Sequence, residues 1–319
     1  MLTGIRVENY RGIRLGEVHG FSRVNLFVGP NGSGKSALLE SIFLGCMKNN
    51  PWFNARPSTM NNQVPLISQR HNEHGELPNP NCWHRRDTSK PLAIRYWSGP
   101  DTGGVLAFEA RPDGALSSQW SVPMAPALAD WMSRVRLLDI RLLLDDQLER
   151  NSWEQLLDRR GDRELIRVMN ETYGVEIETF TYAGNKLKAL FKDRDHALNL
   201  DDLGTGMRLA FRVFTSLLLC PKSGLLIEEF DAYQHPESLT AIAGLLVSLS
   251  QKSETQLFLT THSMEAVRCF ASAAKTHGPD LVRAFQFDLT DDGELTTATL
   301  SQVDVEVLVA GGIDLRRTR

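Results

Sequence analysis

Residues 29–36 read GPNGSGKS and constrain this chain of 319 residues more than any other segment. The run fits the pattern G-x-x-x-x-G-K-[ST], and it follows the apolar stretch at Val24–Val28. Behind it, Leu38 and Ile42 begin an apolar helical spacing, so a helix is predicted to start near Lys35. Strand, glycine-rich loop and helix in this order predict a phosphate-binding loop for a nucleoside triphosphate.

Each residue type in this loop has a physical role. Glycines let the backbone curl so that successive N–H groups point at phosphate oxygens, and the helix start adds its positive end. Lys35 is predicted to reach the β- and γ-phosphates and to take part in catalysis, and the Ser36 hydroxyl to bind Mg²⁺. The other predicted contacts to the nucleotide in and beside the loop are Asn31, Gly32, Ser33, Gly34 and Ala37.

Composition narrows the class of protein. The hydrophobic share of 42% and the charged share of 23% are ordinary for a globular protein. A net charge of −4 is less basic than expected for a chain that holds nucleic acid mainly by its own surface, although local basic patches stay compatible with it. Four scattered cysteines without a CxxC pair indicate reduced thiols, and no run reaches membrane-spanning length, so we expect a cytoplasmic protein.

Two further apolar strands end in chemistry-bearing residues. Leu225–Ile227 leads into Glu228 and Glu229, which suits a Walker B element in which Glu228 assists Mg²⁺ and Glu229 polarises the attacking water. Phe258 and its neighbours lead into His262, which fits a γ-phosphate sensor at a strand's carboxyl end. Taken alone, a Glu-Glu pair indicates a solvated strand end and a lone histidine a structural role. The order of motifs favours the catalytic interpretation.

The remaining pattern predicts an α/β fold. Residues 201–208, DDLGTGMR, form a glycine-containing turn that opens a helix over 206–219, and a second helix is predicted over 237–250. The predicted strands lie near 5–7, 24–28, 92–97, 105–110, 116–122, 135–144, 175–181, 186–192, 224–227, 256–260, 281–288 and 294–300. The runs between 92 and 122 predict a small antiparallel sheet, residues 125–173 are mostly helical, and a short helix closes the chain.

These elements together resemble the ATP-binding-cassette (ABC) ATPases of the RecF and SMC type, and more closely the small AAA-family ATPases grouped with RecF and the OLD proteins. The likeness runs from IRVENYRGI, which holds the aromatic–arginine pair Tyr10 and Arg11, to GIDLR near residue 316. It implies a P-loop NTPase head over 1–319 with a mixed or parallel core sheet. It also implies a polar loop insertion at 48–91 and an inserted lobe of antiparallel strands and helices at 92–200.

The resemblance also implies a mechanism. In such ATPases two monomers enclose two ATP molecules, and the signature turn of one subunit faces the γ-phosphate held by the other. Here the signature is Leu203–Arg208, with Gly204, Thr205 and Gly206 as the implied contacts and Arg11 as a further nucleotide contact. The chain departs from the family where Gly204 replaces a serine, Glu228 an aspartate and His235 an aspartate of the D-loop. Gln69 and Gln147 are alternative Q-loop residues.

Absent features suggest how such a module would act. The insert lacks the heptads of coiled-coil arms, and too few residues follow His262 for a Toprim nuclease domain. Our main hypothesis is therefore an ATPase that forms a homodimer on ATP binding and controls an effector in trans, such as a nuclease in antiviral defence, without a membrane partner.

The alternative is a RecF-like clamp that grips DNA during repair, for which Arg70, Arg85, Arg86 and Lys90 give basic charge. A transporter's ABC subunit is a third, weaker alternative. His71, His74, Cys82 and His84 are four candidate zinc ligands, although their spacing is unlike common zinc modules and a solvated loop is the alternative.

Overall fold

A computed structural model describes residues 1–49, 80–100, 102–110, 116–139, 146–184, 186–232, 234–300, 304, 305 and 307. The strands in these ranges are β1 (Gly4–Tyr10), β2 (Ile13–His19), β3 (Val24–Val28), β4 (Leu92–Gly99), β5 (Thr102–Ala110), β6 (Leu116–Val122), β7 (Arg136–Leu138), β8 (Ile177–Ala183), β9 (Lys186–Phe191), β10 (Leu198–Asn199), β11 (Gly224–Ile227), β12 (Gln256–Thr261), β13 (Val282–Leu289) and β14 (Glu294–Leu300). The α-helices there are α1 (Lys35–Asn49), α2 (Pro126–Met132), α3 (Asp146–Asp158), α4 (Asp162–Tyr173), α5 (Thr205–Leu219), α6 (Pro236–Lys252) and α7 (Met264–His277).

A mixed sheet of 11 strands organises the described residues, in the order β6-β5-β4-β1-β2-β14-β13-β3-β12-β11-β7. The five strands from β13 to β7 run parallel and form the core. β3, β11 and β12 are buried along their whole length, so their apolar residues do not alternate with exposed polar ones, and polar members such as Asn25 and Gln256 are themselves buried. Their carboxyl ends therefore meet at one edge of the sheet.

Alternate side chains of these strands feed two separate apolar cores. Leu26 of β3 lies in a core with apolar residues of α5, α6 and α7, whereas its neighbour Phe27 lies in a second core with Leu38 and Ile42 of α1. The α1 face also holds a group of edge-to-face and tilted aromatic pairs that includes Phe258 and Phe285. Helices on both faces thus exclude water from the strands that carry the predicted motifs.

The other half of the sheet is an antiparallel wing, made of β6, β5, β4, β1 and β2. The three strands predicted between residues 92 and 122 are confirmed, but they extend the main sheet, because β4 pairs with β1 from Ala93 to Trp97. The separate small antiparallel sheet lies later in the chain, as β10-β9-β8. β14 joins wing and core by pairing in parallel with β2 and antiparallel with β13.

Most predicted elements appear with shifted ends. The strand predicted over 135–144 is described as Arg136–Leu138, and residues 140–145 lie outside the described residues. Most of the predicted closing helix and most of the polar loop 48–91 also lie outside them. The described end of that loop packs against the wing, where Cys82 and Trp83 are buried. Among the described residues, no helix combines the length and apolar character that crossing a membrane requires.

Candidate nucleotide site

The glycine-rich loop joins β3 to α1 at the carboxyl edge of the parallel core. Its backbone takes positive φ angles at Gly29 (155°), Gly32 (80°) and Gly34 (89°), a region that side chains other than glycine rarely occupy. A Cβ atom at Gly29 would lie 2.6 Å from the carbonyl oxygen of Phe287, and one at Gly34 would lie 2.9 Å from Leu295 Cδ1. The glycines therefore permit both the curl of the loop and its close approach to β13 and β14.

Lys35 is the buried cation of this loop. Its Nζ donates hydrogen bonds to the carbonyl oxygens of Gly29 (2.9 Å) and Pro30 (2.7 Å), with Ser33 Oγ at 3.3 Å. Burial lowers the pKa of the ammonium from 10.5 to about 8, a shift that the carboxylates of Glu229 and Glu228 oppose. Because the two carboxylates do not fully offset the cost of burying the ammonium, this position favours the binding of an anion.

Ser36 and Glu228 lie together on the other side of the loop. The Ser36 hydroxyl donates a hydrogen bond to Glu228 Oε1, which joins α1 to the end of β11. The backbone N–H of Glu228 donates to the carbonyl of Leu138 at 3.0 Å, so β7 helps to fix the position of this carboxylate. Hydroxyl and carboxylate oxygens are the ligands that Mg²⁺ prefers, and the pair fits the predicted metal position.

Glu229 has a constrained backbone and a solvent-accessible carboxylate. Its φ is 47°, an unusual left-handed value for glutamate, and its N–H donates to Thr260 Oγ1 at 2.9 Å. His262 Nε2 lies 3.8 Å from Glu229 Oε1, and the two side chains are 33% and 50% exposed. A carboxylate and an imidazole that share an open edge can both contact a reacting phosphate and its attacking water.

Arg11 lies at the turn between β1 and β2 and is anchored by α1. Its Nε donates to Glu40 Oε2 at 2.9 Å and to the Tyr10 hydroxyl at 3.1 Å, and Tyr10 donates to the same Glu40 oxygen at 3.0 Å. Glu40 is fully buried, so Arg11 compensates its charge. The structure thus gives Arg11 a structural partner, and its contact with a nucleotide stays a prediction.

The signature turn lies at the start of α5. Gly204 has φ 94° and ψ 152°, which glycine alone readily adopts, and this explains why a serine does not stand here. Arg208 and Arg212, one and two turns into the helix, donate to Glu149 Oε2 at 3.2 and 2.7 Å. The Gly206 carbonyl accepts hydrogen bonds from Tyr173 and Gln234.

The structure brings Lys35, Ser36, Glu228, Glu229 and His262 together at one edge of the sheet, as the sequence predicts. Asn31 and Gly32 are exposed at the tip of the loop, Ser33 and Lys35 are buried, and Gly34, Ser36 and Ala37 are partly buried. His235 caps α6 by accepting the N–H of Glu237 at 3.4 Å. Gln69 lies outside the described residues, and so does the side chain of Gln147.

Sequence reasoning missed two residues of this edge. Thr260 fixes the backbone of Glu229, and the Asp231 carboxyl bonds to Thr261 while burial raises its pKa. Thr260 lies near the end of β12, the strand next to β11. Its contact with Glu229 follows from the parallel register, which pairs Ile227 with Leu259, and the sequence alone does not give that register.

The zinc prediction receives no support from the part that is described. His71 and His74 lie outside the described residues, and among those that are described no three or more His, Cys, Asp or Glu side chains come together as a metal site would require. Cys82 is buried, and His84 Nδ1 lies 3.1 Å from the carbonyl oxygen of Arg11.

The donor set fits MgATP. The curl of the loop leaves no room for a Cβ at Gly29 or Gly34, Lys35 supplies a buried cation, and Ser36 with Glu228 supplies hard oxygen ligands. These are the features that triphosphate and Mg²⁺ recognition require.

Comparison with known proteins agrees with this site. Residues 123–268 match the family model described as "AAA domain, putative AbiEii toxin, Type IV TA system", and residues 5–74 match a second model described as "AAA domain". The chain is 30% identical over 119 residues to the uncharacterized protein MJECL11 of Methanocaldococcus jannaschii, and the match covers 36% of this chain and 99% of that protein.

Solved structures agree on the fold. An SMC head bound to the C-terminal winged-helix domain of ScpA has a TM-score of 0.59 at 14% identity, covering 94% of this chain and 97% of the other. An SMC head with an extended coiled coil, bound to a ScpA domain from Pyrococcus furiosus, has a TM-score of 0.59 at 12% identity, covering 97% and 98%. The SMC head of Thermotoga maritima has a TM-score of 0.53 at 15% identity, covering 94% and 99%. The loop, the sheet and the two family models together place the chain among the AAA-family ATPases, and the solved structures show that its fold is that of an SMC head.

Proposed function

We propose that this protein hydrolyses ATP with Mg²⁺ and that ATP binding closes a homodimer whose opening and closing controls an effector. The observation that carries the hydrolytic part is the meeting of Ser36, Glu228, Glu229 and His262 at the edge where Lys35 is buried. An anion-binding loop, a pair of metal-binding oxygens and a solvent-accessible carboxylate are the parts that phosphoryl transfer to water needs.

Each side chain has a role in this proposal. Lys35 exchanges its carbonyl partners for phosphate oxygens. Ser36 and Glu228 would hold Mg²⁺, which would supply positive charge to the phosphates. Glu229 accepts a hydrogen bond from the attacking water and orients it, and His262 donates to the γ-phosphate region from the other side. Thr260 keeps the Glu229 backbone in its left-handed conformation, so that the carboxylate points toward the open edge.

The dimeric part of the proposal rests on the signature turn, residues 203–208, which would complete the site of a second copy. The position at 204 offers no side chain, so the trans contact falls to backbone N–H groups at the start of α5 and to Thr205. SMC heads in the matched structures are bound to a domain of ScpA, which supports a partner protein for this chain as well. A nuclease in antiviral defence is one such effector.

The rival proposal is a clamp that binds DNA. Arg85 and Lys90, two of the basic residues behind it, line a cavity of about 520 Å³ on the wing together with Arg6 and Arg14. The same wall holds Glu8, Asp87 and Asp292, and Lys90 pairs with Asp87 at 3.2 Å. This near balance of charge is a poor match for a phosphate backbone. It therefore favours the ATP-dependent dimer that controls an effector, called the switch below, over the DNA-binding clamp.

Glu229→Gln tests the switch. We expect this variant to bind MgATP, to hydrolyse it roughly 100- to 1,000-fold more slowly than the parent, and to double its mass in light scattering when MgATP is added. Glu237→Gln, which changes an exposed carboxylate at the start of α6, is the matched control and keeps parental turnover. A variant that neither binds ATP nor changes mass contradicts the proposal.

A salt series separates the two proposals. Filter binding of duplex DNA to the Glu229→Gln protein, with and without ATP, measures the affinity and its dependence on salt concentration. The switch predicts no ATP-dependent DNA binding. A DNA affinity that falls steeply with salt concentration and appears only with ATP favours the DNA-binding clamp.

A further inference from the structure

Three polar groups from distant parts of the chain meet at the first turn of α5. The Tyr173 hydroxyl, at the end of α4, lies 2.9 Å from the carbonyl oxygen of Gly206 and 3.1 Å from Gln234 Oε1. Gln234 Nε2 donates to the same Gly206 carbonyl at 2.9 Å. We call this group of Tyr173, Gln234 and Gly206 the signature clamp.

The chemistry of the clamp makes its two side chains interdependent. A phenol has one proton, so Tyr173 donates either to the Gly206 carbonyl or to the Gln234 amide oxygen at a given moment. The amide of Gln234 keeps the carbonyl partnered in both cases. Burial raises the pKa of Tyr173 well above its usual value, so the hydroxyl stays a donor throughout the neutral range.

Gln234 also belongs to the segment that carries the catalytic carboxylate. The N–H of Ala232 donates to the carbonyl of Glu229 at 2.9 Å, and the N–H of Gln234 donates to that of Asp231 at 3.2 Å. The Asp231 carboxyl in turn bonds to Thr261, beside His262. Short turns and the partly buried carboxyl of Asp231 therefore connect the clamp to the edge where Glu229 lies.

The rest of α5 is held without the clamp. Arg208 and Arg212 contact the buried Glu149, and apolar residues of the helix, among them Phe211 and Phe214, are fully buried. The bonds to Gly206 therefore act on the first turn alone, next to Gly204, whose backbone conformation is restricted to glycine. That first turn is the part that the proposed dimer uses.

We propose that Tyr173 and Gln234 are positioning residues that orient the signature turn for its contact with the nucleotide held by a second copy of this chain. The inference rests on the proposed ATP-dependent dimer. It assigns to each side chain an effect on closing the dimer, with no effect on ATP binding within one subunit, because neither residue belongs to the phosphate-binding loop.

The test measures dimer formation in the Glu229→Gln background, which holds ATP unhydrolysed. Tyr173→Phe removes only the hydroxyl, and Gln234→Glu keeps the shape but replaces the amide donor by a carboxylate. We expect each to raise the dimer dissociation constant in MgATP by roughly fivefold to tenfold, as the loss of one partly buried hydrogen bond predicts. The double variant should be less than additive because both residues bond one carbonyl. Monomer affinity for a fluorescent ATP analogue should stay within about twofold.

Tyr96→Phe is the matched control. Its hydroxyl donates to the buried carbonyl of Ser41 at 2.7 Å, so the substitution removes the same kind of bond away from the clamp. It should lower the melting temperature as Tyr173→Phe does and leave the dimer dissociation constant unchanged. Equal dimerisation of Tyr173→Phe and the parent overturns the inference, and so does equal weakening by Tyr96→Phe. A Glu229→Gln parent that stays monomeric overturns the proposed function as well, which separates the two failures.

Discussion

The two halves of the proposed composite site are built in different ways. The half made by residues 29–36 with Glu228, Glu229 and His262 lies at the ends of three fully buried parallel strands. The half made by the signature turn, residues 203–208, lies at the start of a helix and is held by the side chains of Tyr173 and Gln234. The first half is fixed by a backbone ladder and the second by exchangeable polar contacts.

This difference teaches where rigidity and adjustability lie. Parallel strands covered by helices on both faces cannot shift without breaking buried hydrogen bonds and packing, so the catalytic groups keep their geometry. A turn held by side-chain bonds can change partners at a cost of about 1 kcal/mol each. The catalytic half is suited to chemistry, and the signature half is suited to a contact that forms and breaks.

The largest effect is expected where the rigid half loses its cation. Lys35→Ala removes charge-assisted hydrogen bonds to phosphate, and we expect ATP affinity to fall roughly 100-fold, as measured by calorimetry. Lys90→Ala, which removes an exposed lysine paired with Asp87, is the control and should bind ATP as the parent does. Undiminished affinity in Lys35→Ala would place the triphosphate elsewhere.

A smaller effect is expected where the rigid half loses one side-chain support. Thr260→Val keeps the volume of a buried residue but leaves the Glu229 N–H without its acceptor, so turnover should fall about tenfold while KM stays constant. Thr260→Ser retains the hydroxyl and should restore most of the turnover. A loss of the same size in both variants would show that packing, rather than the hydrogen bond, matters at this position.

The protonation of Lys35 on ATP binding gives a further test of the same half of the site. Burial sets the pKa of the ATP-free lysine at about 8, and bound triphosphate raises it, so binding above that pH must take up a proton. ATP affinity should therefore be nearly constant below about pH 7, fall roughly twofold by pH 8 and fall roughly fivefold more between pH 8 and pH 9. Titration calorimetry in two buffers of different ionisation enthalpy measures both the affinity and the proton uptake. A constant affinity up to pH 9 would mean that the lysine keeps its usual pKa.

The smallest effect belongs to the signature half. Gly204→Ser adds a Cβ where no atom lies within 4 Å, so its cost comes only from the backbone angle, and the free energy of unfolding should fall by about 1 kcal/mol. Gly244, inside α6, also has open space around it but an ordinary φ. Gly244→Ala should raise stability by roughly 0.5–1 kcal/mol, and urea titration measures both. A neutral Gly204→Ser would show that the turn adapts more readily than its backbone angles suggest.

The sequence predicts the rigid half well because its signals are local. β3, β11 and β12 are mostly apolar. Glu228 and His262 come directly after β11 and β12, and Lys35 follows β3 across the glycine-rich loop, so each motif indicates both a structural element and a site residue. The joining of the wing to the core was not predictable, since β14 returns to pair with β2 from about 280 positions away. The local sequence of a strand does not indicate which distant strand it will pair with.

The polar contacts of the signature half were also beyond sequence reasoning. Tyr173 lies 61 positions from Gln234, and nothing in either local pattern relates the two. Gly204 is an exception of another kind. The sequence shows a glycine in place of a serine, but only the backbone angles reveal that the position requires one. Residues that act through a distant partner become visible only when the fold supplies that partner.

The bonds from Lys35 to the carbonyls of Gly29 and Pro30 have a consequence for the kinetics of nucleotide entry. The lysine holds the loop in its curled form before any phosphate arrives, so association does not have to wait for the loop to order. The step that remains is an exchange, in which two backbone carbonyls release the ammonium to the triphosphate. Nucleotide release is the reverse exchange, in which the two backbone carbonyls of the loop take the place of the phosphate oxygens at the ammonium.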